Sequence, residues 1–169
     1  MKPLSEQPVV LASGSPRRRD LMTEAGYVFR VIVPDDSVEE AVDNNLPPKQ
    51  FVVEAAFQKA RAVALQLKNE MVIGADTVAE CGGEIIGKPR DREHAAEILK
   101  MMSGTRHAVH TGVCMWNCTS GKCVKTCTST ILDMDPISDQ WLTEYLDTGL
   151  WQGKAGAFGY QDGLDDTNH

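Results

Sequence analysis

The sequence has few aromatic residues and no long hydrophobic run. Aromatic side chains make up 6% of its 169 residues, and no apolar stretch approaches the roughly 20 residues that a membrane-spanning helix needs. The segment before residue 8 lacks the apolar core of a signal peptide. We therefore expect a cytoplasmic protein without a membrane partner.

Basic residues are fewer than acidic residues. The chain carries 17 lysines and arginines against 24 aspartates and glutamates, for a formal net charge of −7. A surface that binds duplex nucleic acid needs a large basic face, so we expect no nucleic-acid partner. An acidic protein can still hold a small basic pocket for a small polyanion.

The remaining composition is that of an ordinary globular protein. Hydrophobic residues make up 42% of the chain, which is typical of a folded domain. At this length one domain is expected, and the sequence shows no internal repeat, low-complexity tract or linker. We therefore predict a single domain over residues 1–169.

Apolar runs and turn signals alternate along the chain. Residues 34–48, between the second predicted strand and the second predicted helix, form a polar and acidic loop. This interleaving predicts an α/β fold with a mixed, twisted sheet and flanking helices. Strands are predicted at residues 9–12, 29–33, 71–73, 84–86, 109–118 and 122–132. Helices are predicted at 16–25, at 50–67, after an Asp91 cap to Met102, and after a Ser138 cap to Gly149.

Four of the five cysteines flank a turn signal at residues 120–121. A two-residue turn there places Cys118 opposite Cys123 and Cys114 opposite Cys127, close enough for disulfides. A single zinc site fits poorly, because the two pairs would lie about 13 Å apart along the strands. We favour four reduced thiols on one face of the hairpin, since cytosolic thiols are usually reduced.

The segment Ser13–Arg19 carries three arginines in the first turn of a predicted helix. A helix N-terminus already has partial positive charge, so cations are poorly placed there. An anion held by the free backbone N–H groups would offset this cost, and arginine binds phosphate oxygens in a bidentate manner. The pattern favours a phosphate site; the alternative is a solvated basic turn.

Asp76 follows a short buried strand. Ligands of α/β proteins gather at the carboxyl ends of strands, where a carboxylate can activate water or hold a cation. The alternative is an aspartate that caps a turn. Ser13 and Ser15 have no evident histidine and acid partners, so nucleophilic catalysis is not predicted.

Further charged residues could complete such a pocket. Lys59 lies in a predicted helix close to its alanine-rich face, and Lys88 follows the return strand of a hairpin. Glu39 and Glu40, on the acidic loop, could join Asp76 around a divalent cation. The alternatives are solvated lysines, which are common, and a solvated acidic loop.

Together these segments resemble the Maf family. They come in the family's order and span nearly the whole chain. The resemblance implies an elongated, two-lobed α/β fold with a central cleft, similar to the inosine triphosphatase architecture. The motifs that carry it are Leu11–Arg18, Gly74–Thr77, Gly87–Pro89 and Lys154–Gln161.

The resemblance implies a nucleoside triphosphate pyrophosphatase. Such an enzyme cleaves between the α- and β-phosphates and uses a divalent metal such as Mg²⁺, for which we expect Asp76 and Glu40 as ligands. Asp76 is the implied proton acceptor, and a homodimer is a family-level expectation. The other implied catalytic and substrate-binding residues are Ser13, Arg17, Arg18, Glu40, Lys59 and Lys88.

The resemblance also implies a substrate. Arg17, Thr77 and Gln161 match the three specificity positions of the family branch that acts on dTTP and UTP. A 7-methyl-GTP pyrophosphatase is the alternative enzyme, although that branch typically has tryptophan in place of Arg17. A nucleotide-binding regulator of septum formation is the alternative from another class, but a pure binding protein has no need of Asp76.

The chain departs from the family near its end. Asp162 stands where the family usually has glycine, and family members continue beyond the position of His169 through another strand and a closing helix. We expect these last elements of the family fold to be missing from this chain.

Overall fold

The computed structural model describes residues 8–35 and 37–159. Strands and helices alternate along them, as the sequence predicts. The strands are β1 (Val9–Ala12), β2 (Phe29–Val31), β3 (Met71–Cys81), β4 (Glu84–Ile86), β5 (Arg106–Asn117) and β6 (Lys122–Asp133). The helices are α1 (Pro16–Glu24), α2 (Ser37–Glu40), α3 (Pro48–Ala64), α4 (Arg92–Met102) and α5 (Asp139–Thr148), followed by a 3₁₀ turn at Ala155–Ala157.

The strands of the described residues form one mixed sheet. Their order is β2-β1-β3-β5-β6, with β4 paired to β3 off this path. Strand β1 runs parallel to both β2 and β3, whereas β4 is antiparallel to β3. The predicted α/β class with a mixed sheet and flanking helices is confirmed. None of the helices in residues 8–35 and 37–159 is long and apolar enough to cross a membrane.

The described residues divide into two compact units. The first comprises those of Met1–Asp76 with Thr111–Thr128, and the second those of Thr77–His110 with Ser129–His169. The expectation of a single domain stays a prediction. In the first unit α3 packs on the sheet through Val10, Ala56, Ala60, Val63 and Val72. In the second, α4 and α5 share a core that includes Ile98, Leu99, Met102, Leu142 and Tyr145.

Local sequence signals place most helix ends correctly. Asp91 and Ser138 each accept a hydrogen bond from the backbone N–H three residues on, which satisfies a free donor of the first turn. Gly149 ends α5 in the left-handed conformation, with φ of 70°. Ser15 occupies the N-cap position of α1 without a side-chain capping bond; its N–H donates to Ser13 Oγ instead.

Two elements differ from the prediction. The loop at residues 34–48 contains the short helix α2. Strand β3 does not end near residue 73 but continues to Cys81, so Asp76 lies inside a strand rather than just beyond one. The physical reason is a change of partner: β3 pairs with β1 as far as Gly74 and with β4 from Ala79.

The hairpin turn between β5 and β6 is longer than predicted. It occupies residues 118–121 and is closed by a 2.9 Å bond from the Gly121 N–H to the Asn117 carbonyl. The Cys114 side chain hydrogen-bonds that of Cys123, whereas the predicted two-residue turn places Cys114 opposite Cys127.

All five thiols are free, in agreement with the favoured reading of the cysteine pattern. Cys118 and Cys123 pack against the first core, which contains Cys114. Burial is the largest cause and the neighbouring Cys123 the next, and they raise the pKa of Cys114 to about 12. The Cys114 thiol is therefore protonated at neutral pH and a poor nucleophile.

Two glycines let α3 approach the sheet closely. A Cβ at Gly74 would collide with the backbone of Ala56 and Ala60, and one at Gly112 would collide with the backbone of Val52. The helix backbone therefore lies almost directly on β3 and β5. This contact fixes the position of Lys59, which precedes Ala60 on α3.

We predict that Gly74→Ala destabilises the protein by about 1–3 kcal/mol or more, because the new methyl group overlaps helix backbone that cannot move aside cheaply. Urea unfolding measures the loss. Gly87→Ala is the matched control, since a Cβ at that position meets no atom within 4 Å, and we expect a change within about 0.5 kcal/mol. Equal stability of the two variants would contradict the close approach of α3.

Candidate functional site

A buried lysine on α3 is shared between two carboxylates. Lys59 Nζ lies 2.6 Å from Asp76 Oδ1 and 2.6 Å from Glu39 Oε1. The Lys59 side chain is 7% exposed and that of Asp76 13%, whereas Glu39 is 51% exposed. Buried lysines are rare unless they are paired, so this double ion pair is the condition that allows Lys59 to be buried.

The sequence of α3 explains why Lys59 faces inward. The buried residues of the helix recur at helical spacing, and Lys59 falls on the same face as Ala55, Ala56 and Ala60. Small alanines leave room for the long side chain to run along the face toward β3. The alternative of a solvated lysine is therefore wrong for Lys59.

A second cation, in the first turn of α1, interacts electrostatically with the same carboxylates. Arg18 Nη1 donates a 3.1 Å hydrogen bond to Oγ of the buried Ser13. Burial lowers the pKa of Arg18 from its usual value, while the charges of Asp76 and Glu39 act in the opposite direction. We call Ser13, Arg18, Glu39, Lys59 and Asp76 the Lys59 cluster. All five belong to the first compact unit.

The first turn of α1 has the charge pattern that the sequence predicts. The helix begins at Pro16, so the three arginines occupy its first turn, and no acidic residue is present there. Arg18 is half-buried and directed to Ser13, whereas Arg17 is exposed. Arg17 is therefore available to a ligand at the surface, and its role in phosphate binding stays a prediction.

The acidic loop contributes one member of the glutamate pair that the sequence indicates. Glu39 rather than Glu40 contacts Lys59, and Glu40 is exposed. Successive residues of a helix point about 100° apart, so only one of two adjacent glutamates on α2 can face Lys59. The sequence shows the acidic pair but contains no signal that decides between its members. A role for Glu40 stays a prediction.

The other predicted site residues lie outside the Lys59 cluster. Thr77 directly follows Asp76 on β3 and is half-buried, and Lys88 is exposed after β4; both belong to the second unit. Gln161 lies outside the described residues. The roles of these three residues stay predictions.

The carboxylates of the Lys59 cluster suit a hard divalent cation. Mg²⁺ is usually bound through one or two carboxylates and completes its shell with water and substrate phosphates. Asp76 and Glu39 converge on one ammonium, so their oxygens already surround a cationic position. Within the described part of the chain, no group of three or more histidine, cysteine or acidic side chains could hold a metal ion. Asp76 and Glu39 are thus two carboxylates that could contribute to such a site, and a bound metal stays a prediction.

We predict that Lys59→Met costs about 3 kcal/mol of unfolding free energy, because it leaves the largely buried Asp76 without its ammonium partner. Glu39→Gln removes the exposed partner of the same lysine and is the matched comparison. We expect Glu39→Gln to cost no more than about 1 kcal/mol. Urea unfolding measures the free energy of unfolding of both variants. A Lys59→Met variant as stable as the parent would contradict the prediction.

The chain is similar to proteins of one family over nearly its whole length. The family model described as Maf-like protein matches residues 8–165. A dTTP/UTP pyrophosphatase of Rhodopirellula baltica is 46% identical over 93% of this chain and 69% of its own length. The dTTP/UTP pyrophosphatase of Pelotomaculum thermopropionicum is 40% identical over 90% of this chain and 79% of its own length.

A solved structure supports the same fold. The HAM1 protein of Coxiella burnetii superposes with a TM-score of 0.52 and 15% identity, covering 75% of this chain and 72% of that protein. This likeness confirms the predicted fold class. The match over residues 8–165 and the identity to curated relatives show that the chain belongs to the Maf family.

Proposed function

We propose that the chain is a nucleoside triphosphate pyrophosphatase that hydrolyses dTTP and UTP to the monophosphate and pyrophosphate. The observation that carries the proposal is the Lys59 cluster, in which a largely buried carboxylate is held between two cations. The relatives in Rhodopirellula baltica and Pelotomaculum thermopropionicum are named for this activity.

Asp76 has the position of a general base. Its Oδ1 accepts from Lys59, which fixes the direction of the carboxylate, and we propose that Oδ2 binds the attacking water molecule. A positioned carboxylate can remove the proton of that water as it attacks phosphorus. The close packing of α3 at Gly74 keeps Lys59, and through it Asp76, in place.

The two cations of the cluster suit the phosphates of the substrate. A bound triphosphate brings negative charge that competes with Asp76 and Glu39 for Arg18 and Lys59. Arginine binds phosphate through parallel hydrogen bonds, and lysine acts as a compact charge. Arg17 in the exposed first turn of α1, with the hydroxyl of Ser13, completes this proposed phosphate site.

A divalent metal such as Mg²⁺ would be held by Asp76 and Glu39. The sequence predicts Glu40 in this role, but Glu39 is the glutamate that shares Lys59 with Asp76. When bound, the metal supplies charge neutralisation at the phosphate oxygens. We propose Lys88 as an additional catalytic residue on the family resemblance alone.

Substrate choice is proposed to depend on Arg17, Thr77 and Gln161. Thr77 follows Asp76 directly, so its backbone is fixed by the strand that carries the general base. An amide such as that of Gln161 offers a donor and an acceptor, which suits the paired edge of uracil or thymine. A cytoplasmic homodimer is part of the same proposal and rests on the family resemblance; sedimentation velocity tests the dimer.

We predict that Asp76→Asn lowers kcat by about 10²- to 10⁴-fold, because the amide keeps the shape of the side chain but cannot accept the proton. Binding of a non-hydrolysable dTTP analogue, measured by calorimetry, is expected to change little. Asp20→Asn, at an exposed position of α1, controls for loss of an acidic charge. Retention of most of the activity by Asp76→Asn would refute its assignment as the base.

We predict that dTTP and UTP have the highest kcat/KM in a panel that also contains ATP, GTP and 7-methyl-GTP, assayed with Mg²⁺. A site that hydrogen-bonds one base leaves polar groups unpaired with another, and such discrimination can reach about 10⁴-fold. Pyrophosphate and monophosphate release are measured together. A preference for 7-methyl-GTP would select the alternative enzyme, and binding without turnover would select the regulator.

A further inference from the structure

Three polar side chains form a hydrogen-bonded row across strands β3, β5 and β6 in the second compact unit. His110 Nδ1 lies 2.8 Å from Ser129 Oγ, and His110 Nε2 lies 3.4 Å from Glu80 Oε2. None of the three belongs to the Lys59 cluster. The sequence shows no such set, because its members are 19 and 30 residues apart and only strand pairing brings them together.

The chemistry of the partners assigns the protons in this row. A carboxylate can only accept, so the hydrogen bond to Glu80 places the ring proton of His110 on Nε2. In the neutral ring Nδ1 then carries a lone pair and accepts from the Ser129 hydroxyl. A serine that donates to a histidine, itself oriented by an acid, is the arrangement by which enzymes activate a serine nucleophile.

The orienting acid is itself held in place. The backbone N–H of Gly83, in the β3–β4 turn, donates a 2.7 Å hydrogen bond to Glu80 Oε1. This bond leaves Oε2 for His110. The longer 3.4 Å separation on that side lies within what catalytic hydrogen bonds show before a substrate is bound.

Exposure is distributed as a nucleophilic site needs it. His110 is buried, with 3% of its surface exposed, so water does not compete for its ring nitrogens. Ser129 is exposed, so its neighbourhood is open to a reagent from solvent. A histidine that was buried for packing alone would not require an exposed hydroxyl as its hydrogen-bond partner.

We propose that Ser129 is an activated nucleophile that accepts an acyl group from an activated ester, with His110 as its base and Glu80 as the residue that orients His110. Ser129 Oγ bonds to the carbonyl carbon while its proton passes to His110 Nδ1. The bond from that carbon to the leaving oxygen then breaks, and the leaving oxygen keeps the electron pair and takes the proton from His110. The products are acyl-Ser129 and the free alcohol.

Acetylation by p-nitrophenyl acetate tests the proposal on the whole folded chain. We expect release of one equivalent of p-nitrophenol per chain and an acetyl group on Ser129, located by peptide mass spectrometry, which also separates any acetylated lysines. Ser129→Ala is expected to lose this acetylation. Ser120→Ala, at an exposed serine of the hairpin turn, is the matched control and is expected to react like the parent.

Substitutions of His110 and Glu80 distinguish a Ser129 that these residues activate from one that is merely exposed to solvent. We expect His110→Gln to slow acetylation of Ser129 by about 100-fold or more, as loss of a general base does, and Glu80→Gln to slow it about tenfold or more. If His110→Gln fails to fold by circular dichroism, Glu80→Gln decides, because glutamine retains an oxygen for the Gly83 N–H. Absence of acetyl-Ser129 in the parent, or its formation at the parental rate in either folded variant, would overturn the proposal.

Discussion

The burial of one ammonium group is the constraint on which the candidate site depends. Lys59 is removed from water by α3 and is stabilised by Asp76 on one side and Glu39 on the other. Removing a charge from water is costly, and only close and well-oriented partners compensate for it. The arrangement therefore ties the position of Asp76, the proposed general base, and that of helix α2 to a single side chain.

The backbone of the sheet makes this arrangement feasible. Gly74 and Gly112 let the α3 backbone lie against β3 and β5 where any side chain would collide with it. Because β3 loses its partner β1 after Gly74, Asp76 lies two residues beyond the end of the parallel pairing. The proposed catalytic carboxylate is thus at the carboxyl end of a strand pair even though its own strand continues, which agrees with the general location of ligands in α/β sheets.

Features that depend on a few neighbouring residues could be predicted from the sequence. Features that depend on contacts between elements distant in the chain could not. The caps at Asp91 and Ser138 and the left-handed Gly149 are encoded within one helical turn, and each is where the sequence predicts it. The extension of β3 depends on β4, and the cysteine register depends on the length of one turn. The choice of Glu39 over Glu40 depends on the rotation of a four-residue helix.

The two polar clusters follow the same physical rule with different consequences. In each, a buried basic side chain, Lys59 or His110, is retained because an acidic residue on a neighbouring element accepts from it. Lysine has no acceptor atom, so Lys59 itself can only exchange one anionic partner for another, as a phosphate site requires. Histidine keeps one nitrogen as an acceptor, and in this chain that nitrogen faces a serine hydroxyl. Lys59 therefore suits the binding of an anion, whereas His110 suits the transfer of a proton.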